Sequence, residues 1–396
     1  MQICYVANGI NFPYRGGSGS GGSTHVYEIA KGLLKHGHTI YVLCSRPPRQ
    51  TTEETFEGIV IHRIFSSGAD LCQTLRRHKL VWAATKVPYY ISKLFVEIVR
   101  LTRFLVSSRC DVVYERTSAS TWMHSLLYFA LRKPLILEVN DYYHDPLSLW
   151  IAKTVITPNK SALPFYVQHK TKQLQWGANI EKFRPDIDAT DIRKHYDLQN
   201  KKIALMVCSG LPWHGLAELI DAAEIVSKKM PDVIFMIVGS INNLIDYKEK
   251  IRLSGLKNRF IFTGPVDYSL VPKFISLADV TLAPYNSLLN QYGERAHYAS
   301  PLKVFEYMAC GKPSILTEVA NLNNVVENMK TGIVIPEDSA EALVDAITYL
   351  FDNKDVCDTL AENARKTVEQ EFSWQNHVKR LSEVLTDCKF DSTHNM

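Results

Sequence analysis

The sequence predicts an α/β chain of two Rossmann-like, doubly wound domains, each a parallel sheet with helices on both faces. Three observations predict it. A chain of 396 residues is longer than one core ordinarily supports. Residues 2–44 read strand, glycine-rich loop, helix, strand. From residue 202 the same order restarts with a second set of short apolar runs.

Residues 2–8 (QICYVAN) read as a buried strand that opens into a long Gly/Ser loop. Residues 24–36 follow as a helix with Val26, Ile29, Ala30, Leu33 and Leu34 inward, stopped by Gly37, and 38–44 form the second strand. Gly21 and Gly22 stand just before the helix, where a backbone must come close to a phosphate. The loop lacks GxGxxG spacing and no acid ends the second strand, which sets a dinucleotide dehydrogenase aside. Residues 80–106 carry apolar stripes broken by Lys86, Lys93, Arg100 and Arg103, with Pro88 expected to divide two helices. They read either as helices covering the sheet or as a membrane-surface or acceptor-docking face. Residues 111–115 and 134–140 are strands, and ligands gather beyond the carboxyl ends of strands. Arg116, Glu138, Asn140, Asp141 and His144 are therefore acceptor-side candidates, with Asp141 also a catalytic one; the plain alternative is ordinary loop residues. Residues 155–158 read as the last strand of the first domain, and 175–185 (QWGANIEKFRP) are punctuated like a linker. The expected divisions are 1–180, 181–370 and a tail at 371–396.

In the second half, 202–208, 233–239, 260–264 and 280–284 read as strands and 216–228 as a helix. Further helices are expected at 339–350, 361–368 and from about 372 to 387, with 389–396 frayed. Residues 300–316 (SPLKVFEYMACGKPSIL) read as a complete helix between two loops. Ser300 is a good N-cap, Pro301 suits the first helical position, and Gly311 is placed to end the helix. Leu302, Phe305, Met308 and Ala309 recur at helical spacing. Lys303 sits one turn in, at the end where helices disfavour cations, which points to an anion there. Glu306 lies on the same side and suits a sugar hydroxyl; the plain alternative is a surface Lys–Glu pair.

This stretch resembles the signature helix of the retaining glycosyltransferases of family 4, which have the GT-B fold. Gly-Gly-Ser-Thr-His-Val (21–26) resembles the family's loop against the donor diphosphate, and 175–185 its interdomain segment. The resemblance runs along nearly the whole chain. It implies two domains facing each other across a cleft, the first binding acceptor and the second the nucleotide-sugar donor. A final helix then crosses back to the first domain. It assigns Lys303, Val304, Leu302, Ser300 and Pro301 to the donor diphosphate region and Glu306 to the nucleotide ribose. The sequence departs from the family at three places. The loop SGLPWHG puts Ser209, Gly210 and His214 where an Arg/Lys clamp is common, a variant in which Lys303, helped by Arg295, takes the loop cation's part. Tyr298 stands where the first of two paired glutamates is usual, and Asn140-Asp141 where a histidine is usual, His144 being the nearest imidazole. His214 reads as a half-charged phosphate donor or as a packed loop histidine.

The apolar fraction of 46% and charged fraction of 22% are those of a globular chain. The eight cysteines show no metal spacing, and Cys4, Cys44 and Cys208 sit in apolar runs, which points to a reducing, cytoplasmic setting. No secretory leader is read in residues 1–7 and no apolar run is long enough to span a bilayer. Residues 1–170 carry 20 Lys and Arg against 11 Asp and Glu, while 171–396 carry 25 against 30. The basic first half fits an anionic acceptor or a peripheral place at the membrane.

The reading is a hexosyltransferase with retention of configuration. It uses a nucleotide-diphosphate sugar, UDP first, and a glycan, lipid-linked or small-molecule acceptor. It needs no cofactor and no metal, and no nucleic acid is a partner. The alternative is a non-catalytic GT-B partner subunit that binds a nucleotide sugar.

Overall fold

The computed structural model describes residues 1–13, 21–46, 50–66, 79–140, 145–241, 244–287, 302–319 and 322–393, with backbone alone for 79–89 and 389–393. One compact unit runs to Leu174 and is completed by the residues from Val378 onward; the other spans Gln175–His377.

The first unit contains β1 (Gln2–Asn11), α1 (Gly21–Lys35), β2 (Thr39–Arg46), β3 (Glu53–Phe56), β4 (Ile59–Ser66), α2 (Lys79–Ser107), β5 (Val112–Arg116), α3 (Thr121–Ala130), β6 (Leu135–Glu138), α4 (Pro146–Ile151), β7 (Thr154–Thr157) and β8 (Thr171–Gln173). Its strands lie in the order β3-β4-β2-β1-β5-β6-β7-β8. All pairs are parallel except β3 with β4, a hairpin turned by Glu57 and Gly58, both at positive φ. The order reverses between β1 and β5, so the connections leave in opposite directions there. Crossovers of one hand then put α1 on one face of the sheet and α2 and α3 on the other. Leu101, Leu105, Tyr128 and Leu149 pack on Cys4, Val6, Val113 and Leu137 to form the core of that second face. Residues 79–107 form one helix that continues through Pro88, not two divided there. A helix tolerates a proline at the loss of one backbone hydrogen bond when its flanks are long.

The second unit contains α5 (Thr190–His195), β9 (Lys202–Val207), α6 (Leu216–Lys229), β10 (Val233–Val238), α7 (Leu244–Leu253), β11 (Phe260–Phe262), α8 (Val271–Leu277), β12 (Val280–Ala283), α9 (Leu302–Ala309), β13 (Ser314–Thr317), β14 (Ile333–Ile335), α10 (Ala340–Asp352) and α11 (Lys354–Gln370). Six parallel strands lie in the order β11-β10-β9-β12-β13-β14. β10 is buried along its whole length, as a strand covered on both faces must be. Ser339 caps α10 by accepting from the Ala342 amide. Gly311, at φ +60°, ends α9. Every residue of α9 from Val304 to Ala309 is buried, including Glu306 and Tyr307, whereas Leu302 is partly exposed. The helix is thus enclosed rather than amphipathic, and Leu302 does not join the core.

The last helix, α12 (Trp374–Thr393), gives its residues from Val378 onward to the first unit. Gly32 on α1 makes room for it: a Cβ there would stand 2.5 Å from a Val378 methyl. His38 Nε2 lies 2.7 Å from Ser382 Oγ, and Lys153 Nζ donates to the Cys388 carbonyl at 2.9 Å.

Candidate active site

In the second unit the strand order reverses between β9 and β12, the place where open α/β sheets bind ligands beyond the strand ends. Three segments meet there: the loop 208–215 after β9, residues 284–287 after β12, and α9. Tyr285 is their centre. The Lys303 Nζ lies 4.8 Å from its ring centroid, and His214 approaches edge-on at 5.6 Å. The loop is held by Gly215, at φ +74°, which lies against the Pro284 carbonyl. The Trp213 carbonyl accepts from the Asn286 amide at 3.2 Å. Gly210 accepts from Tyr247 Oη at 3.3 Å. Glu306 is 6% exposed, and its Oε1 accepts from Tyr268 Oη at 2.7 Å.

The electrostatics single out Lys303. Its stem is partly exposed, but Nζ is buried with no hydrogen-bond partner among the described residues. Burial pushes its pKa down to about 8, only partly offset by Cys208 and Glu306. An ammonium kept here without a partner is a charge waiting for an anion. His214 does not share that role as a half-charged group. Burial, reinforced by Lys303, pushes its pKa down to about 2, so at neutral pH it is a neutral imidazole able to donate one N–H. The unfolded chain protonates this histidine near its ordinary 6.5 and the folded chain does not, so stability falls as pH drops below 6.5. His214→Gln is expected to reduce proton uptake on unfolding near pH 5 by about one proton, measured as the pH dependence of the urea midpoint. An unchanged slope would mean that His214 is solvated.

In the first unit the reversal between β1 and β5 brings Gly22, at the start of α1, to Arg116, at the end of β5. A Cβ on Gly22 would meet Ile10 at 2.7 Å and Arg116 Nη1 at 3.6 Å, so the glycine permits this approach. Below it lies a buried polar group. His25 Nε2 is 2.9 Å from Glu138 Oε1, at the end of β6, and His25 Nδ1 is 3.3 Å from Tyr5 Oη. Tyr5 in turn stacks on Tyr114, with ring centroids 4.6 Å apart. Burial lowers the His25 pKa against the opposing pull of Glu138. Asn140 is 2% exposed, and neither amide atom has a hydrogen-bond partner among the described residues. Such an amide is costly unless something else satisfies it.

The structure therefore brings Lys303, Glu306, His214, Ser209 and Gly210 to one strand-order reversal, and Gly21, Gly22, Arg116, Glu138 and Asn140 to the other. Val304 is buried in the body of α9. Asp141, His144, Arg295, Tyr298, Ser300 and Pro301 lie outside the described residues. Sequence reasoning missed Tyr285, Tyr268, Tyr5 and His25. Of these, only His25 had a signal, one helical turn after Gly22. No group of His, Cys, Asp and Glu with metal-holding geometry occurs among the described residues.

Two family models match the chain: Glycosyltransferase Family 4 over residues 19–179 and Glycosyl transferases group 1 over residues 188–367. The chain is 26% identical over 288 residues to an alpha-D-kanosaminyltransferase from Streptomyces kanamyceticus, covering 71% of this chain and 68% of that one. It is 24% identical over 272 residues to a GDP-mannose-dependent alpha-(1-6)-phosphatidylinositol monomannoside mannosyltransferase from Mycobacterium tuberculosis, covering 68% and 69%. Its fold matches the crystal structure of Anabaena HepE in complex with UDP with a TM-score of 0.74 at 18% identity, over 98% of this chain and 100% of that one. With one family model on each half and the two-sheet architecture matched throughout, the chain is a GT-B glycosyltransferase of the group 1 and family 4 type.

Proposed function

We propose that the protein transfers a hexosyl group from a UDP-sugar to a glycan, lipid-linked or small-molecule acceptor with retention of configuration, and that it needs no metal or cofactor. The buried ammonium of Lys303 at the reversal between β9 and β12 carries the reading. As the glycosidic bond breaks, the anomeric carbon becomes cationic and the leaving diphosphate gains charge. Lys303, the neutral His214 N–H and the amides at the start of α9 would stabilise that charge without reorganising. Glu306, now held by Tyr268, would accept a ribose hydroxyl. HepE crystallised with UDP and with UDP-glucose supports the choice of nucleotide. In this reading residues 1–180 bind acceptor, with Arg116, Asn140 and Asp141 beside the reacting sugar, and 181–370 bind donor.

Calorimetry with UDP, GDP and ADP, followed by hydrolysis of the matching sugar nucleotide, tests it. UDP binding, with slow release of the sugar as the donor's own anomer, is expected. Release of the opposite anomer would overturn retention. A folded protein that binds none of the nucleotides would return the partner-subunit reading. Glu306→Gln is expected to weaken UDP and uridine alike, by roughly tenfold. Unchanged uridine binding would remove Glu306 from the ribose.

A further inference from the structure

Helix α3 is built inside out. Its sheet-facing side is Thr121, His124, Ser125 and Tyr128, all buried. Three of these satisfy the buried Glu115: Thr121 Oγ1 donates at 3.1 Å, Tyr128 Oη at 2.6 Å, and His124 Nδ1 lies 2.9 Å away. Ser125 Oγ donates to Ser148 Oγ on α4 at 2.9 Å. The apolar residues Trp122, Leu126 and Phe129 recur at one helical stripe and point outward. A helix on a water-facing surface does the reverse.

The neighbouring elements bury apolar residues on the sheet, Leu101 and Leu105 on α2 and Leu149 on α4, and also expose large apolar side chains outward. On α2, Glu97 is 2% exposed while Phe95 is 68% exposed. On α4, Trp150 is 66% exposed, with its ring 6.2 Å from Phe129. In the 3-10 turn 165–170, Phe165 is 88% exposed, and Lys170 Nζ from the same turn donates to the Trp150 carbonyl. Eleven of the seventeen large hydrophobic side chains exposed among the described residues lie on this one layer of the first unit.

Along residues 117–175, which carry α3, α4 and the 165–170 turn, cations outnumber acids. Arg132, Lys160 and Lys172 flank these elements in sequence, and Lys170 Nζ is held by the Trp150 and Ala152 carbonyls. Between residues 117 and 175 the acids are Glu138, Asp141 and Asp145. Glu138 is buried, and Asp145 caps α4 by accepting from the Ser148 amide at 2.7 Å. No helix among the described residues is long and apolar enough to cross a membrane.

We propose that this outer face of α2, α3, α4 and the 165–170 turn docks on an anionic phospholipid bilayer. Trp122, Phe129, Trp150 and Phe165 would seat in the interfacial zone and the flanking cations on the phosphates. Trp122 and Trp150, each with an apolar ring and a polar N–H, suit that zone, and Phe129 and Phe165 add apolar area. The inference deepens the proposed function by naming the surface that would bring a lipid-linked acceptor to the enzyme, and rests on it for that use alone.

The test is co-sedimentation of the full chain with vesicles of phosphatidylcholine, alone or mixed with phosphatidylglycerol. Binding to the mixed vesicles, weakened by salt, is expected. The combined variant Phe129→Ser, Trp150→Ser, Phe165→Ser should lose it at least tenfold with an unchanged Tm, because all three side chains are exposed. Arg132→Glu with Lys172→Glu should remove the preference for the anionic lipid. Three results would overturn the proposal. One is a wild type that stays in the supernatant with both vesicles; another is a triple-serine variant that binds as the wild type does. A wild-type dimer that becomes a monomer in that variant would assign the face to a second copy. The transferase reading is scored separately by UDP calorimetry without vesicles, so either can fail alone.

Discussion

Lys303→Met is expected to stabilise the unliganded protein and to remove most of its transferase activity. Methionine keeps most of the apolar stem while deleting a buried charge, beside the Tyr285 ring, that no hydrogen bond compensates among the described residues. Lowering the ammonium from 10.5 to about 8 corresponds to a penalty on the order of 3 kcal/mol at neutral pH. The folded lysine releases its proton near 8 and the unfolded one near 10.5, so between these values the unfolded chain binds more protons. Wild-type stability therefore rises with pH across that window, and the methionine variant lacks this rise. Urea titrations should place the variant above the wild type at about pH 7 and bring the two together by about pH 10. Turnover should fall by about 10²–10³, the size of effect expected when a pre-aimed stabiliser of developing charge is lost. UDP should lose more affinity than uridine. A variant less stable than the wild type at neutral pH would mean that the ammonium already has a counter-ion.

Gly215→Ala is expected to cost on the order of 3 kcal/mol of stability and to weaken UDP binding at least tenfold, roughly 1.4 kcal/mol. Two effects combine. The residue sits at φ +74°, and a Cβ would stand 1.6 Å from the Pro284 carbonyl oxygen, a backbone atom that cannot turn aside. Relief requires the 209–215 loop to separate from residues 284–286. That separation would part His214 from Tyr285 and move the ring beneath Lys303. The damage should reach the donor site even though glycine itself touches no ligand. Equilibrium unfolding and UDP calorimetry on the same preparation check both halves. Wild-type stability with wild-type affinity would show that the loop adjusts freely.

The strands were legible wherever burial on both faces leaves a continuous apolar run, as at 2–8, 202–208 and 233–239, which became β1, β9 and β10. The β3–β4 hairpin and β8 were not read. The hairpin's first strand is mostly exposed and β8 has three residues, so neither carries a strong pattern. Helix α3 escaped for a different reason: its buried face is polar, and hydrophobic periodicity points to the wrong side. In the candidate site, Lys303 and Glu306 stood out because a cation near a helix start conflicts with the local dipole. The position of His214 was legible, but not its neutrality, which depends on how deeply Tyr285 and Lys303 enclose it. Tyr5, His25 and Glu138 come from three separate segments, and only the folded sheet brings them together.

The first unit is interrupted in sequence: its last helical piece begins at Val378, after the entire second unit. On a ribosome its sheet emerges early yet cannot finish, because the surface over Gly32 awaits the final residues of the chain. The second unit is continuous from Gln175 to His377 and has all its parts sooner. The unit made first is thus completed last. In the interval the place on α1 beside Gly32 that Val378 later fills is left open.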